Sequence, residues 1–300
     1  MRRRGVHIRK FLIRIIFPLL RRFPPRVASE LVAGIGRSEY DLLPSLRVRF
    51  DQAIKRGGSH FQKEWKVRDL SRELAGNHIR WRTRDQLLDG ISDGGLDSIF
   101  EVVGREHLDQ ALAKGRGVVL LGNHFGSHMM PPHWLLRHGY QARLYMERPR
   151  HTSKYLARHF DTEGALGQKQ LFISRRANTT ESAGSIVRAV RVLSSGCILF
   201  IANDVRWTGN YAVPGQFLGK QYQFSATWVV LAAMAKAPVV PVFCHVRPDG
   251  GFRLEFLPEY SIPPHVLRPE QTIPWVQDAL NRVEGRVAED PANSNDYFFW

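Results

Sequence analysis

The stretch "LLGNHFGSHMMPPHW", residues 120–134, carries three histidines, His124, His128 and His133, and no acid. The imidazole titrates near neutral pH, so a histidine set directly after a buried apolar run is a candidate general base. Such a base needs a partner to fix its tautomer, and a carboxylate is the usual group. None stands in the stretch, so that role would fall to Glu147, Asp204 or one of the other two histidines, or go unfilled. His124 and His128 stand four apart, as in a zinc motif on a continuous helix. Pro131 and Pro132 break that helix and no nearby acid completes the ligand set, so neither a metal nor any other cofactor is expected. The same prolines suit a turn followed by a new helix from Pro131.

The elements that must position these residues follow from the texture of the chain. "GRGVVLLGN" reads as a buried strand at residues 117–121, and "ARLYMERP", "KQLFISRR" and "CILFIAND" read the same way. "SAGSIVRAVRVLSSG" and "SATWVVLAAMAKA" are helical, a Gly/Pro loop runs to about Gly219, and "PVVPVFCHV" with "GFRLEFLP" reads as a hairpin. A final helix spans about Ile273 to Ala288. Strands alternating with helices predict an α/β fold: a central, largely parallel sheet flanked by helices, with an antiparallel edge. Functional residues of such sheets collect just past the carboxyl ends of strands, where His124, Glu147 and Asp204 all fall.

Residues 31–110 are helix-patterned and highly charged, with few strand-like runs, and with the α/β part at 115–300 they are expected to form one domain, 31–300. Residues 1–30 stand apart. They hold nine Lys or Arg against Glu30 alone, in a chain of formal net charge +15. Ile8, Phe11, Leu12, Ile15, Ile16 and Leu19 recur at helical spacing, with Arg9, Lys10 and Arg14 off that stripe. This pattern predicts a basic amphipathic segment lying in an anionic membrane interface. The uncharged run Ile15 to Leu20 is far short of the roughly 20 residues of a spanning helix, and no small-residue cleavage site follows it. Nucleic acid is not an expected partner, because no recognition motif accompanies the charge. The two cysteines, Cys197 and Cys244, lie in strand-like runs and indicate a reducing compartment, with no disulfide framework.

Taken in order, these motifs resemble the acyltransferases that add secondary acyl chains to the lipid A precursor of lipopolysaccharide, within the lysophospholipid-acyltransferase superfamily. "LLRRFPPRVASELVAGIGR" is similar to the family's N-terminal segment, and "GRGVVLLGNHFG" to its strand-to-histidine motif. "ERP" at Glu147 to Pro149 resembles its arginine–proline motif, and "CILFIAND" its strand ending in Asp. The longest likeness is "VPGQFLGKQYQFSATWVVLAAMAKAPVVPVFCHVRPDGGFRLEFLP", and "DYFFW" resembles the family's aromatic end. The resemblance implies a glycerolipid-acyltransferase-like fold and transfer of a fatty acyl group from a thioester on acyl carrier protein or coenzyme A. The acceptor would be a lipid hydroxyl or amine, at the cytoplasmic face of the cytoplasmic membrane, with the enzyme held there peripherally. It makes His124 the base and Arg148 a pocket cation that contacts phosphate or the reacting carbonyl, for which a planar guanidinium is suited. Asn123 is a further substrate contact by the same resemblance, with Phe217 and Gly219 shaping the loop and acyl groove. The chain departs from the pattern at one position: the family's acid five residues after the histidine is here Met129.

Two readings follow. In the first the chain is a membrane-associated acyltransferase with His124 as base and Asp204 or Glu147 replacing the missing acid. In the second the fold binds acyl chains or a partner enzyme at the membrane and has lost turnover.

Overall fold

The computed structural model describes residues 17–20, 22–88, 91–147 and 179–300. The N-terminal stripe from Ile8 to Ile16, the "KQLFISRR" segment and Arg148 lie outside the described residues. After a single helical turn at Phe17–Leu20, three long helices follow: α1 (Pro25–Leu42), α2 (Pro44–Phe61) and α3 (Val67–Leu88). Pro25 and Pro44 each occupy the first turn of their helix, where an N–H would have no partner in the helix. Among the described residues no helix is long and apolar enough to cross a membrane.

The runs of Val, Ile and Leu become a central sheet in the order β1 (Phe100–Val103), β8 (Phe252–Phe256), β7 (Pro238–Val246), β2 (Val118–Gly122), β4 (Ile198–Ala202), β3 (Ala142–Leu144). β7, β2, β4 and β3 are parallel, β8 returns antiparallel to β7, and a short β9 (Tyr260–Ser261) also pairs with β7. Every residue of β2 is buried, as a strand covered on both faces must be. Its alternate residues feed two cores. Val118 and Leu120 join Ile198 and Phe200 beneath α4 (Arg105–Ala113) and α5 (Met130–Arg137). Val119 and Leu121 join Leu199 and Ile201 beneath α6 (Thr179–Ser194), α7 (Thr227–Ala235) and α8 (Pro269–Glu289). The architecture is therefore mixed α/β, a central sheet flanked by helices.

Two local expectations are revised. The helical first third also supplies β1, which pairs in parallel with β8 at the sheet edge. Four residues of alternating burial are too few to stand out against the helical background. The expected Gly/Pro loop before Gly219 holds a two-stranded ribbon, β5 (Ala212–Phe217) and β6 (Lys220–Ser225). Pro214 and Gly215 suggested a loop, but a ribbon strand with an unpaired edge tolerates both. The turn and new helix expected at Pro131 are present: α5 begins at Met130, and both prolines fall in its first turn.

Parallel register is what positions the site. Val118 pairs with Ile198 and, four steps on, Gly122 pairs with Ala202. The two strands therefore end level. His124, two residues past β2, stands beside Asp204, two residues past β4. Gly122 belongs to this approach, because a Cβ there would lie 2.6 Å from the Phe200 ring.

Candidate active site

The loop leaving β2 is held at its backbone before any side chain acts. Asn123 Oδ1 accepts from Phe125 N–H at 3.1 Å while its Nδ2 donates to Val242 O at 3.1 Å. Gly126 adopts φ 57°, and a Cβ there would sit 1.8 Å from Cys244 O. Only glycine meets both demands. Gly126 N–H donates to Asn293 O at 2.8 Å and Ser127 N–H to Cys244 O at 2.9 Å. Asn295 Nδ2 donates to His124 O at 2.7 Å and also to Gly126 O. The final turns of the chain thus clamp the histidine loop against the end of β7.

Asp204 is 1% exposed and takes hydrogen bonds on both oxygens. His124 Nδ1 lies 2.8 Å from Oδ1, and His124 N–H donates to Oδ2 at 2.7 Å. The Tyr297 hydroxyl donates to the same Oδ2. Burial alone would push the Asp204 carboxyl up, but the His124 charge, the His124 and Tyr297 side-chain bonds and the His124 backbone bond reverse this, holding it below its ordinary value. Burial and the Asp204 charge push the Tyr297 hydroxyl well above its own, so it stays a donor. A carboxylate at Nδ1 places the ring proton there and leaves Nε2 as the basic nitrogen.

Among the described residues, two cavities meet at His124. One, of about 170 Å³, runs under the ends of β3 and β4 and is mostly apolar, lined by Tyr145, Met146, Phe200, Ile201 and Val205. The other, of about 340 Å³, is polar and aromatic, lined by Trp81, Arg206, Asn295, Asp296 and Trp300. His124, His128 and Val205 line both. The Arg206 guanidinium lies 4.5 Å over the Trp300 ring and 5.6 Å over Tyr222. The rings of His124 and His128 are 4.6 Å apart, and Trp81 Nε1–H donates to His128 Nδ1 at 2.9 Å.

Of the residues singled out from the sequence, His124, Asp204, Asn123 and Glu147 are brought together. Glu147, exposed at the end of β3, lines the apolar cavity with Asn123, while the bond at His124 Nδ1 goes to Asp204. His133 is fully buried within α5, and Met129, 2% exposed, packs in the core beneath that helix. Phe217 and Gly219, expected along the acyl groove, line neither cavity. Phe217 is fully buried, its ring 5.0 Å from Tyr297 and 5.4 Å from Trp300, and Gly219 forms the β5–β6 turn at φ 73°. Sequence reasoning missed Tyr297, Asn295 and Trp81. The aromatic end "DYFFW" was the signal for the first, but nothing in its spacing tied it to Asp204.

The described arrangement is a histidine with a buried, hydrogen-bonded carboxylate, set between an apolar and a polar cavity. Such a pair is chemically able to take a proton from a hydroxyl or amine brought to its Nε2. No curated protein matches the chain. Against known families, residues 81–297 match the family described as bacterial lipid A biosynthesis acyltransferase. The match covers more than half of the chain and contains the strand ends, the histidine loop and Tyr297. The chain belongs to the bacterial lipid A biosynthesis acyltransferase family.

Proposed function

We propose that the chain transfers a fatty acyl group from a thioester, on acyl carrier protein or coenzyme A, to a hydroxyl or amine of a lipid acceptor, with His124 as general base. The observation that carries this reading is the 2.8 Å contact of His124 Nδ1 with the buried Asp204 carboxylate. In the step, His124 Nε2 takes the proton of the acceptor hydroxyl as its oxygen attacks the thioester carbonyl carbon. The carbon–sulfur bond then breaks, and the leaving thiolate receives the proton from the imidazolium. Asp204 holds the ring and stabilises the imidazolium while it lasts, without itself taking the proton. The apolar cavity suits the acyl chain, and the cleft with Arg206, Asp296 and Trp300 suits a polar acceptor head. The lipid A precursor is the acceptor this family membership favours. Met129 favours the other reading, a fold that binds acyl chains without turnover; the carboxylate that Asp204 brings to His124 favours turnover.

The working location is the cytoplasmic face of the membrane, held peripherally through the basic N-terminal segment. Exposed Phe23, Val27, Leu31 and Leu42 beside Arg22 and Arg26 support such a contact. Anionic lipid and an acidic carrier protein are both attracted by the positive balance of the chain.

Lipids extracted from cells carrying the wild-type chain, His124→Ala or no gene, compared by mass spectrometry, test the reading. The expected result is a species heavier by one acyl group, present with wild type alone. The same species persisting in His124→Ala would remove His124 as the base, and no such species in any strain would leave the binding fold.

A further inference from the structure

His128 does not enter the chemistry just described, yet it lines both cavities and its ring stands 4.6 Å from that of His124. Its Nδ1 receives the indole N–H of Trp81 at 2.9 Å. An indole nitrogen only donates, so Nδ1 must be the acceptor and the ring proton must sit on Nε2. Protonating Nδ1 would set two N–H groups against each other. Trp81 therefore holds His128 as a neutral ring whose other nitrogen is a donor. Among the described residues, the titratable groups around it include His124 on the same loop, His78 beyond Trp81 on α3, Glu147 past β3, Asp204 and Arg206 past β4, and Asp296 in the C-terminal turn. Asp204, the buried carboxylate among them, is engaged by His124 and Tyr297.

We propose that His128, kept neutral by Trp81, is a second catalytic imidazole whose Nε2–H donates a hydrogen bond to the carbonyl oxygen of the acyl thioester. The inference rests on the acyl-transfer reading above. The acceptor oxygen that hands its proton to His124 Nε2 must bond to the thioester carbon in the same junction of cavities. The carbonyl oxygen then gains negative charge beside the neighbouring ring. A donor fixed there before the reaction stabilises that charge without reorganising. Neutrality matters equally, because a cation at His128 would oppose the imidazolium forming at His124.

Two measurements on the full-length protein test this. In nitrogen NMR of histidine-labelled protein, His128 is expected as the Nε2–H tautomer, and Trp81→Phe, which keeps a ring and removes the N–H, should let it protonate at higher pH than in wild type. An Nδ1–H tautomer, or identical titration in the two proteins, overturns the proposal. In the lipid assay, His128→Phe is expected to lower acylated product by about 10²–10³-fold, and His128→Gln, which retains an N–H, to recover part of that loss. Phe and Gln falling alike would make His128 merely structural, and His128→Phe within about twofold of wild type would exclude any contact with the reacting carbonyl. Wild type without product would sink the acyl-transfer reading itself, an outcome distinct from each of these.

Discussion

His124 and His128 share one loop, their rings are 4.6 Å apart, and both line the same two cavities, yet their Nδ1 atoms meet opposite chemistry. At His124 the neighbour is a carboxylate, which only accepts; at His128 it is an indole N–H, which only donates. The first partner leaves a basic Nε2, and the second leaves an Nε2–H. Four residues of separation within one loop thus give the same side chain two different tautomers. The difference comes from remote parts of the chain, Asp204 past β4 and Trp81 on α3, and from neither histidine's immediate sequence.

Asp204→Asn breaks the comparison most severely. The amide keeps one oxygen for Tyr297 and the His124 backbone, but offers Nδ1 a donor and so turns His124 toward the wrong tautomer. The acyl-transfer rate should fall by about four decades, the cost of the corresponding change in a catalytic triad. A fall of less than about tenfold in initial rate, with the fold intact, would mean that Asp204 does not orient the base.

Met129→Glu sharpens the same point from the other side, since it restores an acid at the family's usual spacing. Met129 is 2% exposed and packs with Met130, Trp134 and Leu135 in the core under α5. A carboxyl there is buried in apolar surroundings, and the variant should lose about 3 kcal/mol of stability in denaturant unfolding. Placed in the Asp204→Asn background, it should not restore activity. Recovery in that double variant would show that the loop can re-aim and that two acid positions are interchangeable.

These outcomes bear on how much of the molecule its sequence disclosed. β2 and β4 announce themselves because strands buried on both faces read as apolar runs, and the β7–β8 hairpin does so because an apolar run and an alternating one flank a turn. The start of α5 is equally legible, because consecutive prolines are comfortable in a first helical turn. The pairing of His124 with Asp204 was half visible. "GNH" and "AND" each place the residue two steps past a strand, and only the register Gly122 with Ala202 sets them side by side. Eighty residues separate the pair, and strand order is not written in either segment. Tyr297 and Trp81 were hidden for a different reason. An aromatic in a helix or at a chain end looks like packing, and its one polar atom shows its use only when a partner is in reach. The β5–β6 ribbon was lost because Pro214 and Gly215 signal a turn wherever they occur, and the chain places them in a strand.

A third histidine extends the comparison and gives the smallest effect. His245, on β7, meets the histidine loop from behind, its ring 5.0 Å from that of Phe125. Its Nε2 is 3.4 Å from Glu255 Oε2 and its Nδ1 3.8 Å from Asp290 Oδ2, so carboxylates face both nitrogens. Burial favours the neutral ring, but the bonds to Asp290 and Glu255 outweigh it and hold His245 above its ordinary value. The His245 bond in turn pulls Glu255 below its own. A raised value in the folded state means stability that is fully present below the unfolded value and lost as pH rises through the folded one. His245→Gln cannot carry the charge, so the gap in thermal unfolding midpoint between wild type and variant should be widest near pH 6 and narrow toward about pH 9. A gap that holds constant over that range would mean His245 contributes shape alone. A gap that narrows would make His245 a cation held by Asp290 and Glu255 behind the loop that carries His124 and His128.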